Sequence, residues 1–181
     1  MPLKDAGFKR YATEYDPIKI GSIDGTDLEP HDRAIVRALN SEYSVNKQVK
    51  GDPYHTIFIG RLNPRTTQDV LEAEFSKFGR VVYCRLVKDI VTGKSKRYGF
   101  ISFLDKTSVN KAVCVYGMNK HELERAELIV ELEAERRMRG WRPRRLGGGF
   151  GGRKESGQLR FGCIERPFRK PIHLENENAY N

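Results

Sequence analysis

Between residues 52 and 132 the apolar positions change period in a fixed order: strand, helix, strand, strand, helix, strand. That order limits the fold more than any other feature of the chain. Thr56-Ile57-Phe58-Ile59-Gly60 is a short β-rich run closed by Asn63-Pro64. Thr66 is placed to cap a helix, with Asp69 three residues on. Leu71, Phe75 and Phe78 form the buried stripe of that helix, and Gly79 stops it. Residues 81–87 read as a second strand, with Cys84 and Leu86 inward and Tyr83 and Arg85 on the opposite face. A polar loop, 88–96, contains Thr92-Gly93, and residues 98–104 form a third strand. A second helix follows Asp105, burying Val109, Ala112, Val113 and Tyr116, and residues 128–132 form the last strand.

The order βαββαβ predicts an α+β, ferredoxin-like fold: a four-stranded antiparallel sheet with two helices on one face. The other face is left to solvent, and strand alternation puts Phe58, Tyr98 and Phe100 on it. Exposed rings are costly in water, whereas each stacks on a nucleobase for about 1–3 kcal/mol. Lys96, Arg97, Arg85, Arg61 and Lys94 surround them and suit phosphates, with Tyr83 beside them on the second strand. A sheet face covered by another protein segment is the competing reading, and residues after Leu132 are predicted to be able to fold back over it as a helix.

Ile57-Phe58-Ile59-Gly60-Arg61-Leu62 resembles the RNP2 motif, and Lys96-Arg97-Tyr98-Gly99-Phe100-Ile101-Ser102-Phe103 resembles RNP1. Together, in order and on predicted strands, they identify residues 52–132 as an RNA recognition motif. Arg61 stands where RNP2 usually has Asn. Arg97 stands where RNP1 usually has Gly. Neither departure removes a ring.

The flanks differ in charge. Lys and Arg balance Asp and Glu at eight each over residues 1–50, and at 13 against 12 over 51–135, but number 12 against four over 136–181. Nearly all of the formal charge of +9 therefore lies in the last segment. Such a block either serves a polyanion or is a solvated tail. Residues 1–51 form an N-terminal extension with turn signals at Asp16-Pro17, Gly21-Ser22 and Asp24-Gly25, and a short helix from near Pro30 carrying Ile35, Val36 and Leu39. Residues 133–181 form a basic Arg/Gly-rich extension with too little apolar content to fold alone. Its run Gly147-Gly148-Gly149-Phe150-Gly151-Gly152 reads as a flexible linker or a specific turn structure, since Arg153-Lys154-Glu155 excludes a P-loop.

Outside the motif, Gly140-Trp141-Arg142-Pro143-Arg144-Arg145-Leu146-Gly147-Gly148-Gly149 resembles the segment after the RNA recognition motif in the U1 snRNP 70 kDa family and its minor-spliceosome counterparts. Lys154-Glu155-Ser156-Gly157-Gln158-Leu159-Arg160-Phe161-Gly162 and Arg166-Pro167-Phe168-Arg169-Lys170-Pro171-Ile172 resemble the minor-spliceosome branch only, as do Glu14-Tyr15-Asp16-Pro17 and Pro30-His31-Asp32-Arg33-Ala34. Relatives carry a long Arg/Glu-rich, serine-containing tail; the sequence here ends at Asn181. The resemblance implies a nuclear subunit of the U11/U12 snRNP that binds U11 snRNA and helps recognise the 5′ splice site of U12-type introns, among other U11/U12 snRNP proteins. Arg142, Arg144 and Arg145 would then hold stem phosphates while a loop lies on the sheet. Trp141 is suited equally to stacking on a base and to packing against the domain.

Cys84, Cys114 and Cys163 have neither metal-ligand nor disulfide spacing, and Cys84 and Cys114 read as core thiols in a reducing compartment. His31, His55, His121 and His173 are scattered, Glu122/Glu124 and Glu131/Glu133/Glu135 read as a solvated strand edge or helix start, and no arrangement offers catalysis. No cofactor, metal, membrane or small-molecule substrate is expected. A general messenger-RNA regulator and an RRM used as a protein-interaction module are the rival binding functions. An acylphosphatase-like enzyme shares the topology, but an aromatic sheet face argues against it.

Overall fold

The computed structural model describes residues 7–117, 119 and 121–172, so His173 lies outside the described residues. The chain divides into two compact units, one continuous over residues 42–141 and the other joining residues 1–41 to 142–181.

The continuous unit holds β1 (Thr56–Gly60), α3 (Gln68–Ser76), β2 (Val81–Lys88), β3 (Ser95–Phe103), α4 (Lys106–Ala112), β4 (Glu122–Leu123), β5 (Ala126–Glu127) and β6 (Ile129–Leu132); α1 and α2 precede it. Its four-stranded sheet has the order β2-β3-β1-β6. All its pairings are antiparallel, with Phe58 opposite both Phe100 and Glu131. The α+β arrangement is the one the periodicity predicts. Ile57, Ile59, Leu71, Phe75, Ile101, Phe103, Val109, Ala112 and Val130 are buried and fill the core between sheet and helices. Each belongs to the inward set of its strand or the apolar stripe of its helix.

Several local expectations need correction. The cap of α3 is Thr67, whose hydroxyl accepts from Val70 N, while the Thr66 hydroxyl donates to Glu124 of the β4–β5 turn. That hairpin was not anticipated, because two-residue strands leave no periodicity to read. After Ala112 the backbone loosens into one π-helical turn, Val113–Gly117, and this turns Cys114 outward rather than into the core. Cys84 is buried, and burial pushes its thiol up to about 12, which keeps it protonated and inert. Residues 133–139 form no helix over the sheet. Glu133 N instead donates to Thr56 O, and Glu133, 1 % exposed, pairs with Arg136 at 2.6 Å, so these carboxylates are structural rather than solvated.

The discontinuous unit contains α1 (Pro17–Gly21) and α2 (Arg33–Asn40). Asp16-Pro17, read as a turn, begins a helix: the Asp16 side chain accepts from Ile18 N at 2.9 Å. Ile35 is buried on α2 as expected, but Val36 and Leu39 face solvent and Ala34 and Ala38 take their place inside. Small residues are needed there because Gly147 lies directly on this helix. A Cβ on Gly147 would come within 1.9 Å of Ala34 O, and its φ of 91° is left-handed. The basic extension is therefore not a free linker. Its backbone laces onto the N-terminal residues through Phe161 N to Ile20 O (2.7 Å), Ala12 N to Gly162 O (2.9 Å) and Phe168 N to Arg10 O (2.9 Å).

Candidate nucleic-acid interface

Antiparallel pairing of β1 with β3 brings the three sheet-face rings into one cluster. Phe58 lies 5.9 Å from Tyr98 and 5.8 Å from Phe100, centroid to centroid, and Tyr98 lies 6.2 Å from Phe100. Only two of them are open. Phe58 and Tyr98 are half-buried, but Phe100 is 5 % exposed, packed with Val49 and Val87. The cover is residues 46–51, a strap that lies over the β2–β3 half of the face.

The strap is anchored at both ends. Tyr83 Oη donates to Gln48 O at 2.9 Å, and Arg85 Nη2 donates to Gln48 Oε1. Arg136 Nη1 donates to Gly51 O at 2.7 Å and Val49 O at 3.3 Å. Glu135 accepts from Asn46 N at 2.7 Å and from the Tyr43 hydroxyl. Each of these bonds contributes about 1 kcal/mol, more where one partner is charged. Val49 is the one branched apolar side chain among polar neighbours. Its role carries no periodic signal, which is why sequence reading missed it.

The predicted basic residues take different positions. Lys94 and Lys96 are exposed at the sheet rim. Arg61 and Arg97 both hold left-handed backbone, φ 61° and 64°. They are adjacent: Leu62 N donates to Arg97 O at 3.0 Å, and Arg97 Nε returns a bond to Leu62 O at 2.8 Å. Arg61 also faces Glu127 at 3.9 Å. Tyr83 and Arg85 share the ring face but hold the strap. Glu131, directly opposite Phe58, adds an acceptor on that face that sequence reading had assigned to a solvated edge.

The surface thus offers two aromatic platforms, a basic rim and one carboxylate. Residues 57–128 match the model of the RNA recognition motif. The chain is 56 % identical over 163 residues to the U11/U12 small nuclear ribonucleoprotein 35 kDa protein of Danio rerio, covering 90 % of this chain and 77 % of that one. The chain belongs to the U11/U12 small nuclear ribonucleoprotein 35 kDa family. To the human protein of that name it is 53 % identical, over 90 % of this chain and 65 % of that one. The U1 small nuclear ribonucleoprotein 70 kDa homolog of Saccharomyces cerevisiae is more distant, 40 % identical over 77 % of this chain and 45 % of that one. The family is one of RNA-binding proteins of spliceosomal ribonucleoproteins.

The remaining candidate residues of this U11/U12 35 kDa family member lie at the ends of the two units. Trp141 packs edge-on to Tyr43 at 5.8 Å, so the structure favours the packing option over an open base platform. Arg142 Nε donates to Ser41 O at 3.1 Å. Arg144 is spent inside its unit, donating to Gln158 O at 2.7 Å and Phe150 O at 2.5 Å. Burial, with Arg160 nearby, pulls its pKa below the ordinary arginine value. Arg145 is exposed.

Proposed function

We propose that this chain is the RNA-binding subunit that holds U11 snRNA in a U11/U12 snRNP, where it supports recognition of the 5′ splice site of U12-type introns in the nucleus. The observation that carries the RNA-binding reading is the Phe58–Tyr98 pair, two half-open rings side by side on an otherwise polar sheet face. Bases of a single-stranded loop lie on the two rings, and Lys94, Lys96, Arg97 and Arg61 take phosphates along the rim. Glu131 is placed to accept from the amino or imino group of the base on Phe58. The assignment to U11 snRNA and to the 5′ splice site rests on the name that the 35 kDa relatives carry, together with similarity along nearly the whole chain.

The test is binding of full-length U11 RNA by the intact chain and by Phe58→Ala with Tyr98→Ala. Losing two stacked bases is expected to weaken binding at least tenfold, at about 1–3 kcal/mol per base. Near-unchanged affinity would remove the sheet face from the reading. Equal binding of U11 and unrelated structured RNAs would leave a general RNA-binding protein instead.

A further inference from the structure

Gln48 holds the corner where the strap meets the ring platform, and its side chain is fixed. Arg85 on the neighbouring strand carries only donors, so the carboxamide must turn its oxygen toward Arg85. Its NH2 group, with two N–H donors, is thereby directed away from Arg85 on an exposed residue. The next residue, Val49, packs against Phe100, with Phe58 and Tyr98 against the same cluster. The Gln48 main chain is tied separately, through the Tyr83 hydroxyl. A base lying on the open pair of rings therefore meets, at the strap side, oriented amide donors backed by a guanidinium.

We propose that Gln48 is a base-reading residue: the strap stays closed over Phe100 when RNA binds, and the Gln48 amide selects a base presenting a carbonyl oxygen, uracil or guanine, over adenine. The proposal rests on the stacking role of Phe58 and Tyr98. Adenine turns an amino donor toward the same N–H groups where uracil and guanine offer an acceptor. Several hydrogen bonds and the burial of Val49 oppose opening of the strap. Moving it aside would expose apolar surface on both Val49 and Phe100 in exchange for one additional stacked base.

The experiment is selection from a pool of RNA hairpins with a randomised loop, using the intact chain and three variants. Wild type is expected to enrich uracil or guanine at one loop position next to the stacked bases. Gln48→Ala keeps the Tyr83 bond, which uses the main chain, and so keeps the strap. It should lose the preference at that one position and bind the selected loop about threefold to tenfold more weakly, the worth of one hydrogen bond. Gln48→Glu keeps an acceptor for Arg85 but has no amide donor, and should lose the same preference. Tyr98→Ala should weaken binding of every loop alike. If both Gln48 variants enrich the same bases as wild type while Tyr98→Ala weakens binding, the base-reading role is wrong and the stacking role stands. Enrichment of adenine at that position by wild type also overturns it. If Tyr98→Ala leaves binding unchanged, the stacking role fails and the Gln48 role falls with it.

Discussion

Arg97 holds a φ of 64° at the start of the β3 motif, a region where a Cβ costs about 1–2 kcal/mol. The cost is offset in place by the Nε bond to Leu62 O, worth about 1 kcal/mol. Arg97→Gly removes both the strain and the bond, so the urea midpoint is expected to move little. RNA affinity should fall, and the slope of log affinity against log salt should drop by about one, since one phosphate contact is lost. A large stability change with an unaltered salt slope would show that Arg97 is structural only. The sequence pointed to this residue as a departure from glycine. It did not show that the backbone still takes the conformation for which glycine is suited, nor that a second arginine, Arg61, does the same beside it.

Strands and helices of the continuous unit were legible because their burial repeats. Ile57 and Ile59, Cys84 and Leu86, and Leu71 and Phe75 each announce a face through spacing alone. The strap was not legible, since its hold on the sheet comes from Val49, two carbonyls and the distant residues Glu135 and Arg136. Phe100, read as an open ring, is closed for that reason. Gly51 tests how tightly the strap is seated. It has φ 90°, and a Cβ there would lie 2.6 Å from Ser102 Oγ. Gly93 is also left-handed, at 67°, but its Cβ would meet nothing within 4 Å. Gly93→Ala should therefore cost only the backbone term, about 1 kcal/mol. Gly51→Ala adds a steric clash, typically another 1–3 kcal/mol, and should speed proteolysis within residues 46–51. Equal urea midpoints for the two variants would mean that the strap yields freely.

At the scale of the whole chain, the unit that sequence reading divided into two extensions is built around one buried cation. Arg160, 1 % exposed, donates to Asp32 at 3.1 Å and to Gly147 O at 2.8 and 3.2 Å, and so joins α2 to the glycine run. A lone arginine between Leu159 and Phe161 carries no signal that separates it from its solvated neighbours, so charge counting assigned it to an RNA-binding tail. Titration follows from its surroundings. Burial opposes the Asp32 charge, but the bonds from Ile35 N and from Arg160 outweigh it and hold the carboxyl below the ordinary range. That contribution is complete above about pH 4, the unfolded aspartate value, and is lost as pH falls through the lower folded value. Tyr15, buried and donating to Gly149 O at 2.9 Å, is shifted upward mainly by burial. Its contribution is complete below about pH 10 and lost as pH rises from there toward the folded value. Amide exchange at Phe161, Ala12 and Phe168, which lace this unit, is therefore expected to lose protection at both extremes, beyond the intrinsic change of exchange with pH. Tyr15→Phe should remove the alkaline limb and leave the acid one. Arg160→Met leaves Asp32 without its guanidinium and should move the acid limb to higher pH while lowering protection throughout. Limbs that stay in place in both variants would mean that neither side chain holds the two ends of the chain together.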